Sequence, residues 1–387
     1  MLGTTTTISV ILGGCIATSI IRFANDYQTK EVRKINRIFE NIGYRAGKLL
    51  PRLIETRRHS DYIEYIYEVP PGLMDDPKLS EILPKTLRKP VVIKFNGVLI
   101  IRIYNNDLPV KFDYDWQTTK GWTIPIGYTL DGVILHDFDK IPHMTIAGAT
   151  RQGKSVLLKL ILAHLINSHP EHAEFYILDL KGGMEFGKYK RLKQVKAFAD
   201  NLESAELVLE TVLKRLKDDM YNAAKNGYIS VFDANIKRRI FIVTDEAAEL
   251  ADSKYCREAL SEICRLGGAL GYRNIFATQY PTADTLPRQV KQNSDAKISF
   301  RLPTEVASRV AIDEQGAEKL TMPGRAIYRT YERHIIHVPF VSDSDIIEKL
   351  SEYFIEKEAD SNAEAAKAKN SAAGTNIIDI SGFNLRD

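Results

Sequence analysis

The chain has 387 residues, 44% of them hydrophobic and 27% charged, with 23 Gly and 15 Pro. This composition excludes a disordered, collagen-like or disulfide-scaffold protein, and the length leaves room for two or three domains with ample core. A net charge of +3 is too small to name a partner, and Cys15, Cys256 and Cys264 form no pairable framework and lack metal-ligand spacing.

Met1 to Ile21 has no charged side chain, and Ile8 to Ile21 is strongly apolar. That length just spans a bilayer, so residues 1–21 are expected to form a transmembrane helix. The flank Arg22, Lys30, Arg33, Lys34 and Arg37 is basic, which puts the C-terminal side in the cytoplasm of a single-pass cell-membrane protein. No lysine or arginine precedes the apolar run, which argues against a secretory signal. Leu12-Gly13-Gly14-Cys15 has the form of a lipoprotein box, and a soluble apolar helix is a further alternative. From Arg22 to Arg58 there are ten Lys/Arg against four Asp/Glu, so residues 22–60 read as a basic helical region facing the membrane, or as a solvated helix face. Residues 61–121 read as a small β-rich module. Within it Val91 to Phe95 and Val98 to Tyr104 flank Asn96-Gly97, a β-hairpin signature. The aromatic residues Tyr104, Phe112, Tyr114, Trp116 and Trp122 read as packing rather than base stacking.

Residues 122–344 alternate strand and helix patterns, which argues an α/β domain with a mostly parallel sheet. The run Met144 to Ala147 predicts a buried strand, and Val156 to Ile166 a helix. Between them lies Gly148-Ala149-Thr150-Arg151-Gln152-Gly153-Lys154-Ser155, a phosphate-binding loop of the nucleoside triphosphatase type. Strand, glycine-rich turn and helix N-terminus surround a polyphosphate with backbone N–H groups and partial positive charge. Lys154 is expected to reach the β/γ-phosphates of ATP and the Ser155 hydroxyl to ligate Mg²⁺. A second strand, Phe175 to Leu178, ends in Asp179-Leu180-Lys181-Gly182-Gly183, followed by the basic cluster Lys188, Lys190, Arg191, Lys193 and Lys196. The long segment Leu202 to Lys225 is an amphipathic helix.

Ile240 to Val243 then predicts a central strand buried on both faces, running into Thr244-Asp245-Glu246. Its C-terminal end is expected beside the phosphate loop, where open α/β sheets bind ligands. There Asp245 holds Mg²⁺ through water, and Glu246 orients and deprotonates the attacking water. The alternative is an acidic pair that only opens the helix from Ala247. Asn274 to Thr278 predicts another strand ending at Gln279, a candidate reporter of the γ-phosphate or a plain polar terminus. Asp284 to Asn293 carries Arg288 and Lys291. Residues 345–387 read as a helix to about Glu358, a disordered Ala/Asn/Ser/Lys-rich stretch, and an apolar island from Asn376 to Phe383 that docks on a partner or packs back.

The ordered set of motifs resembles the motor domain of FtsK/SpoIIIE-type DNA translocases, within the HerA/FtsK superfamily that includes conjugative coupling proteins. The matching residues are Lys140-Ile141-Pro142-His143-Met144, the phosphate loop, Asp179-Leu180-Lys181, Thr244-Asp245-Glu246 and Ala277-Thr278-Gln279-Tyr280-Pro281. They continue with Ser308-Arg309-Val310-Ala311-Ile312-Asp313, Gly316-Ala317-Glu318-Lys319-Leu320 and Pro339-Phe340-Val341-Ser342-Asp343. The resemblance spans roughly residues 120 to 345. It implies a RecA-like ring ATPase, a homo-hexamer that moves single- or double-stranded DNA through a central pore. In a conjugative setting it implies relaxase and secretion-channel partners. Related alternatives are an ATPase that energises protein secretion and a chromosome or plasmid DNA pump.

Where the family usually carries an arginine before a small-small-Gly step, this chain has Gly268. Arg309 matches the family's Ser-Arg step and is the candidate for an arginine acting across a subunit boundary. The alternative for Arg309 is a salt bridge to Asp313 at i+4. A translocase grips backbone without reading bases, which makes Lys188, Lys190, Arg191, Lys193, Arg288 and Lys291 candidate contacts to DNA phosphates, or else solvated surface. Little sequence follows residue 350, so no C-terminal sequence-reading domain is expected.

Overall fold

The computed structural model describes residues 30–282 and 285–355. The expected membrane span and the tail beyond residue 355 lie outside the described residues. Among the described residues no helix is long and apolar enough to cross a membrane.

The N-terminal module is built on period-2 alternation. Residues 30–42 are helical (α1), and are followed by β1 (Arg52–Arg58), β2 (Tyr62–Glu68), α2 (Pro77–Leu87), β3 (Val91–Phe95) and β4 (Val98–Tyr104). The strands form an antiparallel sheet in the order β1-β2-β4-β3. Tyr65, Tyr67, Leu99, Ile101 and Ile103 point to one face and meet Ile35 and Phe39 of α1 and Leu79 and Leu83 of α2. The β3–β4 turn falls at Asn96-Gly97 as expected, with Gly97 at φ +71°. The basic helical region expected for residues 22–60 is corrected in part. Only its described first portion is helical, while residues 52–58 pair with β2. The sequence Arg-Leu-Ile-Glu-Thr-Arg-Arg has weak helical periodicity, and long-range pairing decides its conformation. The module therefore begins before residue 61.

The second unit contains β5 (Thr123–Thr129), β6 (Gly132–Asp137), β7 (Met144–Ala147), α3 (Lys154–Ser168), β8 (Ala173–Asp179), β9 (Val195–Ala199), α4 (Leu202–Asn226) and β10 (Arg239–Asp245). It continues with α5 (Lys254–Leu266), β11 (Tyr272–Thr278), α6 (Arg288–Asn293), β12 (Ala296–Phe300), α7 (Glu305–Ile312), β13 (Arg325–Arg329), β14 (Arg333–His337) and α8 (Asp343–Lys349). All ten strands join one sheet, ordered β6-β5-β14-β13-β12-β7-β11-β10-β8-β9. From β12 to β9 the pairing is parallel. From β12 to β6 it is antiparallel. The sheet is thus mixed rather than mostly parallel. The turns between β5 and β6 and between β13 and β14 are short, and a short connection allows only antiparallel neighbours.

The central strands are buried at nearly every position because both faces are covered. Phe175, Ile177, Phe241, Val243, Ile275 and Ala277 pack under α3. The intervening Tyr176, Leu178, Ile240, Ile242 and Phe276 pack under α4, α5 and α6. The helix expected from residue 345 starts at Asp343, because Ser342 and Asp345 form a capping box, and it ends at Lys349. The chain then turns so that Phe354 bridges to Leu192.

The two units are joined at the β5–β6 turn. Asp131 there accepts from Arg102 Nη1 at 2.8 Å and from the Tyr104 hydroxyl at 2.6 Å. Lys94 Nζ lies 2.8 Å from its other oxygen. Arg325 adds a 2.7 Å bond to Asp107.

Candidate functional site

The phosphate loop leaves β7 and is held from below. Gly148 N–H donates to the Thr278 carbonyl at 3.2 Å and Ala149 N–H to the Arg301 carbonyl at 3.0 Å. The Gln152 carbonyl accepts from Gly324 N–H at 2.8 Å. A Cβ at position 148 would lie 2.7 Å from Phe300 Cβ, and one at 153 would lie 2.9 Å from Phe300 Cε1. Gly153 also sits at φ +117°, which an L side chain rarely adopts. Phe300, at the end of β12, is thus a shelf under both motif glycines. Its sequence signal is faint, an apolar strand end among several.

Lys154 opens α3, and its ammonium is hydrogen-bonded to Asp245 Oδ1 at the end of β10. Their side chains are 5% and 1% exposed. Asp245 Oδ2 is buried without a hydrogen-bond partner. Ser155 follows in the first helical turn, where backbone N–H groups have no intrahelical acceptor. A buried lysine, a carboxylate with an unused oxygen, a hydroxyl and a helix N-terminus fit a polyphosphate with a divalent cation. Among the described residues no group of three or more His, Cys, Asp or Glu side chains forms a metal site by itself. A cation here would therefore take part of its shell from phosphate oxygens and water.

Glu246 is buried and takes the left-handed conformation, with φ +58°. Its Oε1 accepts from Thr278 Oγ1 at 3.3 Å and from Gln279 N–H at 3.2 Å. Its Oε2 lies 2.9 Å from Lys181 Nζ. The Gln279 side chain in turn accepts from Thr150 Oγ1 at 3.1 Å. Gln279 therefore touches the phosphate loop with its side chain and Glu246 with its backbone.

Asp179 is the register neighbour of Asp245 on the adjacent strand. Its Oδ2 accepts the N–H groups of Glu185 and Phe186 at 2.9 and 2.8 Å, which shapes the loop after β8. Burial holds its carboxyl above the ordinary aspartate range against those N–H donors, and the nearby Asp245 adds to the rise. Asp179 is a loop-shaping residue in this arrangement, whereas Lys181 reaches the cluster.

The remaining expected residues stand apart. Arg309, on α7, pairs with Glu305 at 2.7 Å and is largely exposed. Its guanidinium does not pair with the Asp313 carboxylate, the alternative read from spacing; only its backbone carbonyl accepts from Asp313 N–H, at 3.0 Å. Asp313 instead takes Lys291 at 2.7 Å, Lys297 at 3.3 Å and Arg329 at 3.3 Å. Lys188 is bound to Asp343, which also accepts from the Tyr189 hydroxyl. Lys190, Arg191 and Lys193 are exposed in the loop before β9. Arg288 lines a cleft of about 590 Å³ between α5 and α6 with Arg257 and Arg265. So Lys188 and Lys291, read as free cations, are engaged by carboxylates that lie 155 and 22 positions away in sequence.

Residues 110–235 match the FtsK/SpoIIIE family. The DNA translocase FtsK of Streptococcus pneumoniae is 27% identical over 320 residues, which cover 75% of this chain and 41% of that protein. That of Lactiplantibacillus plantarum is 25% identical over 256 residues, 60% of this chain and 32% of that protein. The chain thus spans under half the length of these relatives. Among solved structures, the pCW3 conjugation coupling protein TcpA, in its monomer form with ATPγS, superposes with a TM-score of 0.60 at 22% identity. That match covers 83% of this chain and 99% of TcpA. The cytoplasmic domain of the Type VII secretion ATPase EccC of Thermomonospora curvata gives 0.56 at 24% identity, over 65% of this chain and 33% of that one. Both likenesses are of fold.

Proposed function

We propose that this chain, whose residues 110–235 match the FtsK/SpoIIIE family, is an ATP-driven DNA translocase that feeds DNA to a conjugative transfer channel. The observation that carries the reading is the convergence of buried Lys154, Asp245 and Glu246 with half-buried Gln279 at one phosphate loop. The coupling-protein setting is supported by the fold likeness that covers nearly all of TcpA.

The chemistry follows from these residues. Lys154 exchanges Asp245 for the β/γ-phosphates of ATP, and this frees Asp245 Oδ1 beside the already unpartnered Oδ2. Ser155 and Asp245 would hold Mg²⁺, which would supply charge neutralisation at the phosphates. Glu246 takes the proton of the attacking water. Gln279, bonded to the phosphate loop through Thr150, senses the γ-phosphate. Arg309 is exposed on α7 and reaches the site of a neighbouring copy in a homo-hexameric ring. Lys190, Arg191, Lys193 and Arg288 contact DNA phosphates, while Lys188 and Lys291 do so only when released from Asp343 and Asp313. Residues 1–21 anchor the ring in the membrane with the ATPase domain cytoplasmic. A relaxase and channel proteins are its partners.

The test is ATP hydrolysis by the purified chain, with and without single- and double-stranded DNA, beside Glu246→Gln. DNA is expected to raise turnover. The variant is expected to bind nucleotide while turnover falls about 10²- to 10⁴-fold. The preferred strand form separates a coupling protein from a chromosome or plasmid pump. Turnover indifferent to both DNAs overturns the reading in favour of protein secretion, which the EccC fold likeness supports.

A further inference from the structure

We propose that Lys181 is a positioning residue for hydrolysis: it fixes the Glu246 carboxylate while Lys154 is engaged with phosphate. The inference rests on the reading of the site as an ATPase.

Three buried carboxylates lie at the ends of β8 and β10, those of Asp179, Asp245 and Glu246, and Asp179 and Asp245 are register neighbours. Like charges this close need separate compensation. Asp179 has its two backbone N–H donors. Asp245 has Lys154. Glu246 has Lys181, at 2.9 Å from Oε2. Once Lys154 turns to a polyphosphate, Lys181 is the cation that remains on the protein side of the pair Asp245-Glu246.

The geometry suits orientation as well as charge. Thr278 Oγ1 and Gln279 N–H hold one oxygen of Glu246, and Lys181 holds the other. Two anchored oxygens define the plane of the carboxylate. About four acceptor positions exist on an ionised carboxylate; two donors occupy Oε1, while Oε2 faces the Lys181 ammonium as an ion pair with its hydrogen-bonding positions unused. Lys181 is itself placed by its loop. Gly182 and Gly183, at φ +70° and +71°, turn the chain directly after it. Asp179 grips the loop at Glu185 and Phe186. Its far end is pinned by Lys188 and Tyr189 on Asp343, and by Glu185 on Lys159 of α3 at 2.8 Å.

An ordinary strand-end salt bridge would stabilise the fold and do nothing for turnover. The experiment compares Lys181→Met and Lys181→Arg in the full chain by ATP hydrolysis with saturating DNA. It also compares urea midpoints of Lys181→Met, Glu246→Gln and the double variant. Lys181→Met is expected to lower kcat about 10- to 100-fold, with KM within about threefold. Lys181→Arg is expected to recover most of kcat. The midpoint shifts of the two single variants are expected to be non-additive in the double. An unchanged kcat overturns the proposal, as does additivity of the midpoints. A raised KM with intact kcat overturns it too, because Lys181 would then touch nucleotide rather than Glu246. A wild-type chain without turnover would fail the ATPase reading and the positioning role together. Non-additive midpoints would in that case still establish the contact, so the two failures are distinguishable.

Discussion

Gly148 has no room for a side chain, because Phe300 is fully buried beneath it and cannot give way. Gly148→Ala is expected to cost about 1–3 kcal/mol through overpacking, read as a lower urea midpoint with unchanged m-value. The obstacle is Phe300 Cβ itself, so Phe300→Leu in the same chain should not restore the midpoint. A restored midpoint would show that the ring, and not the shelf, sets the limit. At this scale the meeting of the phosphate loop, Asp245, Glu246 and Gln279 was legible in the sequence because each follows the end of a strand at a recognisable motif. Phe300 and the free space it denies were not, because the contact joins residues 152 positions apart with no chemistry to announce it.

The β5–β6 turn acts as a peg. Asp131 takes donors from Lys94, Arg102 and Tyr104, all on the module's sheet. Burial opposes its ionisation, but those three hydrogen bonds outweigh it and hold its carboxyl below the ordinary aspartate range. Asp131→Ala removes the acceptor that Lys94, Arg102 and Tyr104 share, though Arg102 keeps Glu64 at 2.8 Å, and is expected to cost about 1–3 kcal/mol. Limited proteolysis should then cut between residues 105 and 121 sooner than in the wild type, and equal cleavage rates would refute the peg. Periodicity found the β3–β4 hairpin, α3 and α4, since each carries its own signal. It missed β1, whose strand conformation comes from pairing with β2, and it missed the peg, whose partners lie in another unit.

Across the whole molecule, the parallel half of the sheet was readable from alternating strands and helices, while the antiparallel half was not. The β13–β14 hairpin comes late in sequence yet stands between β12 and β5, an order no local pattern carries. Three buried histidines tie stability to pH. His136 is bonded to the Tyr328 hydroxyl, His143 Nδ1 accepts from Asn274 N–H, and His164 contacts Tyr114 and the Thr123 carbonyl. Burial lowers them from 6.5, His136 to about 3 and His143 and His164 to about 4, with Arg273 adding to the first two. Between those values and 6.5 the unfolded chain binds protons that the folded chain excludes. Their contribution is therefore full above pH 6.5 and is lost as pH falls toward 4, by at most about 1.4 kcal/mol per histidine per pH unit. Urea midpoints measured from pH 7 to pH 4.5 should fall steadily, and a flat profile would refute the neutral, buried assignment.

The left-handed backbone of Glu246 has a bearing on descent. A glutamate in that region holds a conformation costing on the order of 1 kcal/mol, one that glycine or asparagine adopts more readily. Selection for folding alone gives no reason to keep it. A lineage freed from the need for hydrolysis would drift at position 246 toward those two residues, and the identity of this one side chain would tell a hydrolysing chain from its silent descendants.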